Sequence, residues 1–194
     1  HDPQVDLWVV ENVISDSPAQ DHLYKGDCTG AFTHDTVARG LATRSWMAVA
    51  DLNAARCHSY GWGAAACDLN NDGWLDLLAS SYGRAPNLLW RAGGADTEFR
   101  FTNESVASGY AFDGRIDWTD NESARCWCQL HPTDADCAGV PAPTRIACTT
   151  DADAFRWDHE YDREAFRLGG NSGATFCGDL NNDGWLDLVT GEIV

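Results

Sequence analysis

The sequence predicts an all-β protein of about three antiparallel, four-stranded blades, interrupted by a disulfide-rich insertion. Three observations lead to this class: one nine-residue segment occurs twice, apolar and polar residues alternate over short runs, and glycine-dense turns separate the runs. Helical periodicity is scarce, and the best candidate for one or two helical turns is residues 151–167.

The repeated segment is Asp-Leu-Asn-Asn-Asp-Gly-Trp-Leu-Asp, which begins at Asp68 and again at Asp179. An alternating run precedes each copy and another follows it, so each acidic segment is expected to be the loop between two paired strands. Two further strands complete the unit as an antiparallel blade. Its four predicted strands span residues 61–67, 75–82, 87–91 and 99–105.

The N-terminal region repeats the features of this unit in the same order, but more weakly. Val5, Asp6 and Leu7 align with the end of the acidic loop and the start of the second strand, and residues 45–53 resemble a degenerate first strand. The unit is expected to be incomplete at both ends of the sequence, which leaves an unpaired sheet edge that invites another chain. We predict four segments: a partial blade with a degenerate strand at 1–60, a blade at 61–105, a cysteine-rich insertion at 106–170 and a partial blade at 171–194.

The chain is strongly acidic, with 13 Lys and Arg against 30 Asp and Glu and a formal net charge of −17. Nucleic-acid grooves and anionic membrane surfaces are bound by clustered Lys and Arg, so neither is expected as a partner. No apolar run approaches the roughly 18 residues that a membrane-spanning helix needs. The hydrophobic share of 44% indicates a folded chain, and we expect no membrane insertion.

Eight cysteines predict up to four disulfides and an oxidising location, so we expect a secreted, extracellular protein. A zinc site is the alternative, but no Cys-x-x-Cys pair occurs, and the tight pair Cys126 and Cys128 suits a tetrahedral site poorly. The pairing stays open. Asn103 and Asn121 begin N-glycosylation sequons, which also suit a secreted protein. The disulfide candidates are Cys28, Cys57, Cys67, Cys126, Cys128, Cys137, Cys148 and Cys177.

Each acidic loop presents oxygen ligands at alternate positions. Side chains at positions 1, 3 and 5 converge when the backbone wraps tightly, and the glycine at position 6 permits that wrap. The carbonyl oxygen at position 7 and the carboxylate at position 9 complete a set of hard donors, which favours Ca²⁺ over the stricter octahedron of Mg²⁺. We predict two calcium sites. Their ligands are Asp68, Asn70, Asp72, Trp74 and Asp76 in the first, and Asp179, Asn181, Asp183, Trp185 and Asp187 in the second.

Two alternative interpretations of these loops are weaker. An EF-hand needs a glutamate at position 12 and flanking helices, whereas position 12 is Ala79 or Thr190 here. An Asx turn that merely links two strands does not account for four oxygen ligands recurring in identical register. A third copy beginning at Asp51 has Ala55 at position 5, so we do not expect it to bind a cation.

The motif Asp-x-Asn-x-Asp-Gly-x-x-Asp between two strands, followed by an Asn-x-Leu-Trp strand and a Phe-Thr pair, resembles the FG-GAP/VCBS repeat. The resemblance covers a little over half of the chain. It implies β-propeller-type blades with Ca²⁺ in the loop between the first two strands, as in integrin α-subunits and many secreted bacterial proteins. Closed rings of such blades usually contain more than the roughly three predicted here, so the resemblance implies an incomplete ring.

No catalytic constellation is evident, and we predict that the protein is not an enzyme. The six histidines form no metal-binding motif and no pair on one strand face, and the sequence has neither a nucleophile elbow nor a phosphate-binding loop. Four tryptophans recur at blade positions and are expected to pack in the core rather than to form a sugar-binding platform. They are Trp62, Trp74, Trp90 and Trp185.

The predicted function is that of a non-enzymatic, extracellular, calcium-binding structural repeat protein. We expect it to self-associate through open blade edges into a homo-oligomer or a fibre. One alternative is an adhesive module whose loops bind a glycan or a protein. Another is a non-catalytic part of a secreted hydrolase or lyase.

Overall fold

The computed structural model describes six stretches of the chain: residues 5–12, 19–45, 47–82, 85–112, 122–151 and 172–192. Within them the chain forms three antiparallel sheets and few helices, as expected for the all-β class. None of the helices in these stretches is long and apolar enough to cross a membrane. The helical turns predicted at 151–167 lie almost entirely outside the described residues.

The N-terminal sheet has three short strands. They are β1 (Leu7–Val9), β2 (His22–Gly26) and β3 (Phe32–His34), paired in that order. The sequence places alternating apolar residues and a Phe-Thr pair in these strands, as it does in the stronger copy of the repeat. The weak N-terminal similarity therefore corresponds to a real sheet.

The central sheet has four antiparallel strands, as the sequence predicts. Its strands are β4 (Tyr60–Cys67), β5 (Asp76–Tyr82), β6 (Leu88–Ala92) and β7 (Phe101–Asn103), in that spatial order. Each of the four lies within a residue or two of its predicted range. The period-2 alternation of the sequence thus sets the strands correctly, because residues two apart share a face of a sheet.

The C-terminal sheet contains β8 (Ser172–Gly178) and β9 (Asp187–Glu192). These two strands flank the second acidic loop as β4 and β5 flank the first. In the described residues β9 pairs with β8 alone, whereas β5 pairs with a strand on each side.

The same turn follows the last strand of the N-terminal and the central sheet. The Leu23 N–H donates to Thr36 Oγ1 at 2.9 Å, and the Leu89 N–H donates to Ser105 Oγ at 2.8 Å. A buried hydroxyl in the turn thus satisfies a strand N–H in both units. The two units are structural repeats of each other as far as this turn.

Helix α1 (Val49–Asn53) corrects the degenerate strand predicted at 45–53. Val49 and Leu52 are both buried, and residues three apart lie on the same face of a helix. Their spacing fits a helical turn better than a strand, in which they would point to opposite faces. A short 3₁₀ turn at Ala95–Thr97 lies between β6 and β7.

The described part of 106–170 contains two of the expected disulfides. Helix α2 (Glu122–Leu130) and a 3₁₀ turn at Ala135–Cys137 form its regular structure. Their buried side chains pack with Val49 of α1 in a separate small core. Two disulfides close this segment, Cys126–Cys148 and Cys128–Cys137.

Of the eight disulfide candidates, six form three disulfides, within the expected limit of four, and Cys28 and Cys57 are free. Cys28 is exposed just after β2, whereas Cys57 is buried beside α1. Burial, reinforced by the nearby Asp51 carboxylate, raises the pKa of the Cys57 thiol above its usual range. Cys57 is therefore a neutral, apolar core residue.

The N-terminal and central sheets pack face to face. Trp8 and Leu23 of the first sheet contact a cluster that includes Leu77, Leu88 and Trp90 of the second. All three of these central-sheet residues are buried. The large apolar area removed from water is the main force that holds these two sheets together.

The other face of the central sheet packs against the C-terminal sheet. Leu78 and Leu89 are buried there against Leu188. Close approach is possible because Gly63 has no side chain: a Cβ at that position would lie 2.9 Å from the Gly173 carbonyl oxygen. The three sheets are thus stacked in sequence order, and the described residues do not show a closed ring.

Candidate calcium-binding loops

The first acidic loop joins β4 to β5 and folds around the carboxylate of Asp68. This carboxylate accepts hydrogen bonds from the Asp72 N–H at 3.0 Å and from the Gly73 N–H at 2.8 Å. The Asn70 side-chain amide donates to Asp72 Oδ2 at 2.7 Å. The Asp68 carboxylate thus caps the backbone at positions 5 and 6, and the side chain at position 3 contacts the carboxylate at position 5.

The second acidic loop joins β8 to β9 and repeats this arrangement. Asp179 accepts hydrogen bonds from the Asp183 N–H at 3.0 Å and from the Gly184 N–H at 2.9 Å. The Asn181 amide donates to Asp183 Oδ2 at 3.0 Å. Identical sequences thus adopt the same fold in two different sheets.

Two residues in each loop take the left-handed backbone conformation. Asn71 and Asn182 have φ values of 55° and 60°, and Gly73 and Gly184 have values of 87° and 90°. Glycine adopts this region without steric cost, and asparagine tolerates it better than most residues. The Asn-Asp-Gly sequence therefore allows the sharp wrap that directs alternate side chains inward.

The structure brings the two loops together. The Asn71 side-chain amide donates to the Gly184 carbonyl oxygen at 3.0 Å. The disulfide Cys67–Cys177, with 6.5 Å between its Cα atoms, joins the strands immediately before the loops. The sequence alone does not reveal this proximity, because the two cysteines are 110 residues apart.

Asp76, the predicted position 9 ligand of the first loop, has a structural role in this conformation. It is buried and accepts hydrogen bonds from the Leu69 N–H at 3.1 Å and the Ala92 N–H at 2.8 Å. The Arg91 guanidinium lies 2.7 Å from Asp76 Oδ2. Burial raises the pKa of Asp76, although both N–H groups and Arg91 oppose that rise.

Asp187, the equivalent residue of the second loop, is more open. Within the described residues its side chain accepts one hydrogen bond, from the Leu180 N–H at 3.0 Å, and meets no cationic group. Asp6 in the N-terminal sheet accepts from the Gly26 N–H at 3.0 Å, the same strand-closing role that Asp76 has. The second loop therefore keeps a position 9 carboxylate that is freer to bind a cation.

The two tryptophans at position 7 stay predicted carbonyl ligands. Their backbone N–H groups donate to the carboxylates at position 5: that of Trp74 to Asp72 at 2.8 Å, and that of Trp185 to Asp183 at 2.9 Å. The Trp74 ring packs edge-on against Phe99, with 5.2 Å between ring centroids. The Trp185 ring is 56% exposed.

The donor set of each loop fits a hard cation, because it consists of oxygen atoms from carboxylates and one amide. Among the described residues, no three Asp, Glu, His or Cys side chains are gathered as a metal-binding group. Each loop instead satisfies its carboxylates with backbone N–H groups and the amide at position 3. Cation binding would therefore exchange some of these hydrogen bonds for metal–oxygen contacts.

The tryptophan prediction holds for Trp90 but is wrong for two others. Trp90 is buried in the core between the first two sheets, whereas Trp62 is 51% exposed. The Trp62 ring lies beside Tyr82, with 4.8 Å between ring centroids, and the two form a small exposed aromatic surface. Trp185 is also exposed, whereas its counterpart Trp74 packs against Phe99 between β6 and β7, a segment that has no equivalent in the described part of the C-terminal sheet.

Two histidines come together that the sequence does not reveal as a pair. His22 Nδ1 lies 2.8 Å from His34 Nε2, and both residues belong to one face of the β2–β3 ladder. This corrects the expectation that no two histidines share a strand face. Only the register of β2 on β3 makes them neighbours, so no sequence spacing signals the pair.

The two predicted glycosylation sites differ in what can be said of them. The Asn103 amide donates to the Ala55 carbonyl oxygen at 2.8 Å, and Asn103 Oδ1 accepts from the Ser105 hydroxyl at 2.7 Å. A glycan on this nitrogen would have to be attached before β7 takes its place. Asn121 lies outside the described residues.

A scan against models of known protein families finds no match, and a search among curated proteins finds none either. The resemblance to the FG-GAP/VCBS repeat thus stays a prediction that rests on the loop motif and the strands around it.

Proposed function

We propose that the protein is a non-enzymatic, extracellular structural repeat protein whose two acidic loops bind Ca²⁺. The observation that carries the proposal is the shared geometry of the loops, in which Asp, Asn and Asp side chains converge twice in the same hydrogen-bonding pattern. Binding would stiffen the bends between β4 and β5 and between β8 and β9. Because the loops touch, it would also fix the central sheet against the C-terminal sheet.

Three features of the sequence and the described residues support this proposal, one each for the compartment, for cation binding and for self-association. The three disulfides suit an oxidising compartment. The strong negative charge provides a repulsion between the loop carboxylates that a divalent cation would relieve. The outer edge of β9 carries no partner strand in the described part of the chain, which favours self-association.

Calorimetric titration of EDTA-treated protein with CaCl₂ tests the proposal. We expect two sites, weaker binding of MgCl₂, and a stabilisation of about 2.7 kcal/mol per site at a hundredfold excess over Kd. Asp183→Asn should remove one site, and Asp72→Asn together with Asp183→Asn should remove both. Asp96→Asn, an exposed carboxylate outside the loops, is the matched control. Absence of both binding heat and thermal stabilisation in millimolar calcium would overturn the proposal.

A second candidate, glycan binding, is favoured by the exposed Trp62–Tyr82 surface. Flat aromatic rings bind the apolar faces of sugar rings, and an exposed tryptophan next to a tyrosine offers such a surface. Retention on immobilised oligosaccharides that is lost in Trp62→Ala would support it. Equal retention of the variant and the parent protein would count against it.

A further inference from the structure

We propose that copies of this chain associate head to tail by stacking sheet faces. The tail face belongs to the C-terminal sheet and is formed by Phe176, Leu180 and Val189. The head face belongs to the N-terminal sheet; Leu7, Tyr24 and Phe32 form its apolar part, and His22 and His34 lie on the same face. The occupant of each face is the opposite face of a second copy. This inference rests on the self-association in the proposed function, but it assigns the contact to sheet faces instead of to the edge of β9.

The tail face is the uncovered equivalent of a face that is covered inside the chain. Its two strand residues, Phe176 and Val189, are direct cross-strand partners. Their counterparts in the repeat, together with that of Leu180, pack against the C-terminal sheet. The tail-face residues themselves are 69%, 48% and 65% exposed, in the order Phe176, Val189 and Leu180. The counterparts of Phe176, Leu180 and Val189 are Ala65, Leu69 and Leu78.

The head face is likewise the exposed equivalent of a face that is covered inside the chain, here at the contact between the N-terminal and central sheets. Leu7 is the cross-strand partner of Tyr24, and Phe32 is the partner of Gly26 at the far end of β2. Leu7 and Phe32 are 46% and 50% exposed. Their counterparts lie in the core between the N-terminal and central sheets. The counterparts of Leu7, Tyr24 and Phe32 are Leu77, Trp90 and Phe101.

The chain contains two internal joints, one between the N-terminal and central sheets and one between the central and C-terminal sheets. At each of them, a face equivalent to the tail face packs on a face equivalent to the head face. The face with Trp8 and Leu23 covers the face with Leu77, and the face with Leu78 covers the face with Leu188. The two faces that no described residue covers are one of each type, so a head face on a tail face repeats a contact that the chain already makes twice. Apolar faces left in water commonly mark such interaction surfaces. Because the contact joins two different faces, it builds a ring or a filament rather than a closed two-fold dimer.

The net charge of −17 opposes association and sets the conditions for the test. Salt screens this long-range repulsion, with a Debye length of about 8 Å at about 0.15 M ionic strength, while apolar contacts persist. We expect the weight-average mass in sedimentation to rise above the 21.2 kDa of a single chain as concentration increases. The rise should be larger at higher salt. A single chain at all concentrations and salt levels would overturn the proposal.

A pair of valine substitutions tests the tail face. Val189→Asp places a charge on an apolar contact and should raise the dissociation constant of the assembly by about tenfold or more. Val106→Asp is the matched control, since Val106 is 41% exposed against 48% for Val189 but lies in the turn after β7 and belongs to neither face. Equal weakening by both substitutions, with the fold intact by circular dichroism, would contradict the assignment of the face.

Mixing two variants, each with a substitution in one of the two faces, tests the head-to-tail geometry. Leu7→Asp disables the head and keeps the tail, and Val189→Asp does the reverse. Each variant alone should stay a single chain, whereas a one-to-one mixture should form a dimer and nothing larger. Association through the edge of β9 or through two identical faces predicts other results: a variant that still assembles alone, or a mixture that does not combine. Either result would overturn the proposal.

Calcium binding, measured by titration of the same samples, separates this inference from the proposed function. Two bound ions on a chain that never assembles would refute the stacking and leave the calcium proposal standing. Assembly that is lost in Val189→Asp and in Leu7→Asp, in a chain that does not bind calcium, would refute the calcium proposal and leave the stacking proposal standing.

Discussion

The side-chain amide of Asn71 donates a hydrogen bond to the carbonyl oxygen of Gly184, so the first acidic loop directly contacts the second at 3.0 Å. Each partner belongs to the backbone wrap of its own loop, since Asn71 precedes Asp72 and Gly184 follows Asp183. The two wraps are therefore in direct contact. The two candidate sites form one unit at the joint between the central and C-terminal sheets.

Removing this contact should weaken that joint. We expect Asn71→Gly to lower the free energy of unfolding by about 0.5–1.5 kcal/mol, the usual value of one hydrogen bond. Glycine is chosen because it tolerates the positive φ of 55° at this position. Asn182→Gly is the control, since Asn182 has the same conformation but makes no equivalent contact to the other loop in the described residues. Urea denaturation of both variants checks the difference, and equal losses would argue against a specific role for Asn71.

The disulfide Cys67–Cys177 should be the main covalent support of the same joint. It closes a loop of 110 residues, and disulfides that close long loops restrict the unfolded chain most. Replacing both cysteines by serine should lower the free energy of unfolding by about 2–5 kcal/mol. Cys28→Ser, at an exposed unpaired cysteine, should change it by less than about 0.5 kcal/mol. Chemical denaturation and peptide mapping of the disulfides check both expectations.

The blade and its loops could be predicted because their signals are local. Alternation identifies a strand within a few residues, and the repeated motif fixes where β5 and β9 begin. Relationships that depend on the packing of distant strands could not be predicted. The ion pair of Asp76 with Arg91 requires the register of β5 on β6, and the contact of Asn71 with Gly184 requires the third sheet to lie beside the second.

Helix α2 shows a different kind of failure, because its signal was present. Ala124, Trp127 and Cys128 follow the i, i+3, i+4 spacing of a helix face, and all three are buried. Cys126 and Cys128 lie within this helix and also mark the segment as one that disulfides close, so two signals overlap in the same residues. At the central sheet, by contrast, the expected burial of Trp62 was wrong, since Trp62 lies at the register shift between Gly61 and Gly63, an irregularity that the alternation of the sequence does not reveal.

Glu122 should be the main anchor of the cysteine-rich segment. Its Oε2 accepts the N–H groups of Thr144 at 2.7 Å, Arg145 at 2.6 Å and Ile146 at 3.2 Å, and its Oε1 lies 2.9 Å from the Arg125 guanidinium. Burial alone would raise the pKa of Glu122, but these donors and Arg125 outweigh it and hold the pKa below 4.5. Its contribution to stability is therefore present at neutral pH and lost as the pH falls below that value.

We expect Glu122→Gln to lower the free energy of unfolding by about 3 kcal/mol, because it removes the negative charge that pairs with the buried Arg125 guanidinium. Hydrogen exchange should accelerate at the backbone amides of Thr144, Arg145 and Ile146, which lose their carboxylate acceptor. Glu98→Gln, at an exposed position, is the control and should leave exchange at these amides unchanged. Unchanged protection in Glu122→Gln would mean that the two nearby disulfides alone hold the segment.

Asp21 should make the N-terminal sheet less stable as the pH rises. Asp21 Oδ1 accepts the Glu11 N–H at 2.9 Å, but Oδ2 is buried without a hydrogen-bond partner in the described structure. The equivalent residue in the central sheet is Asn87, whose Oδ1 accepts the Ser81 N–H at 2.8 Å and whose amide has acceptors of its own. The N-terminal sheet thus has a carboxylate at a position where the central sheet has a neutral amide.

Burial raises the pKa of Asp21 from 3.8 to about 7, and the charge of Glu11 adds to this while its N–H opposes it. The folded state therefore keeps the proton that the unfolded chain releases, so the stability from protonated Asp21 is complete below pH 3.8 and lost as the pH rises through about 7. Asp21→Asn should remove this loss and be more stable than the parent protein near pH 8, by on the order of 3 kcal/mol. At pH values below 3.8 the two proteins should differ little. Urea denaturation across this range checks the prediction, with Asp96→Asn as the exposed control; a constant difference between variant and parent at every pH would show that Asp21 does not titrate as proposed.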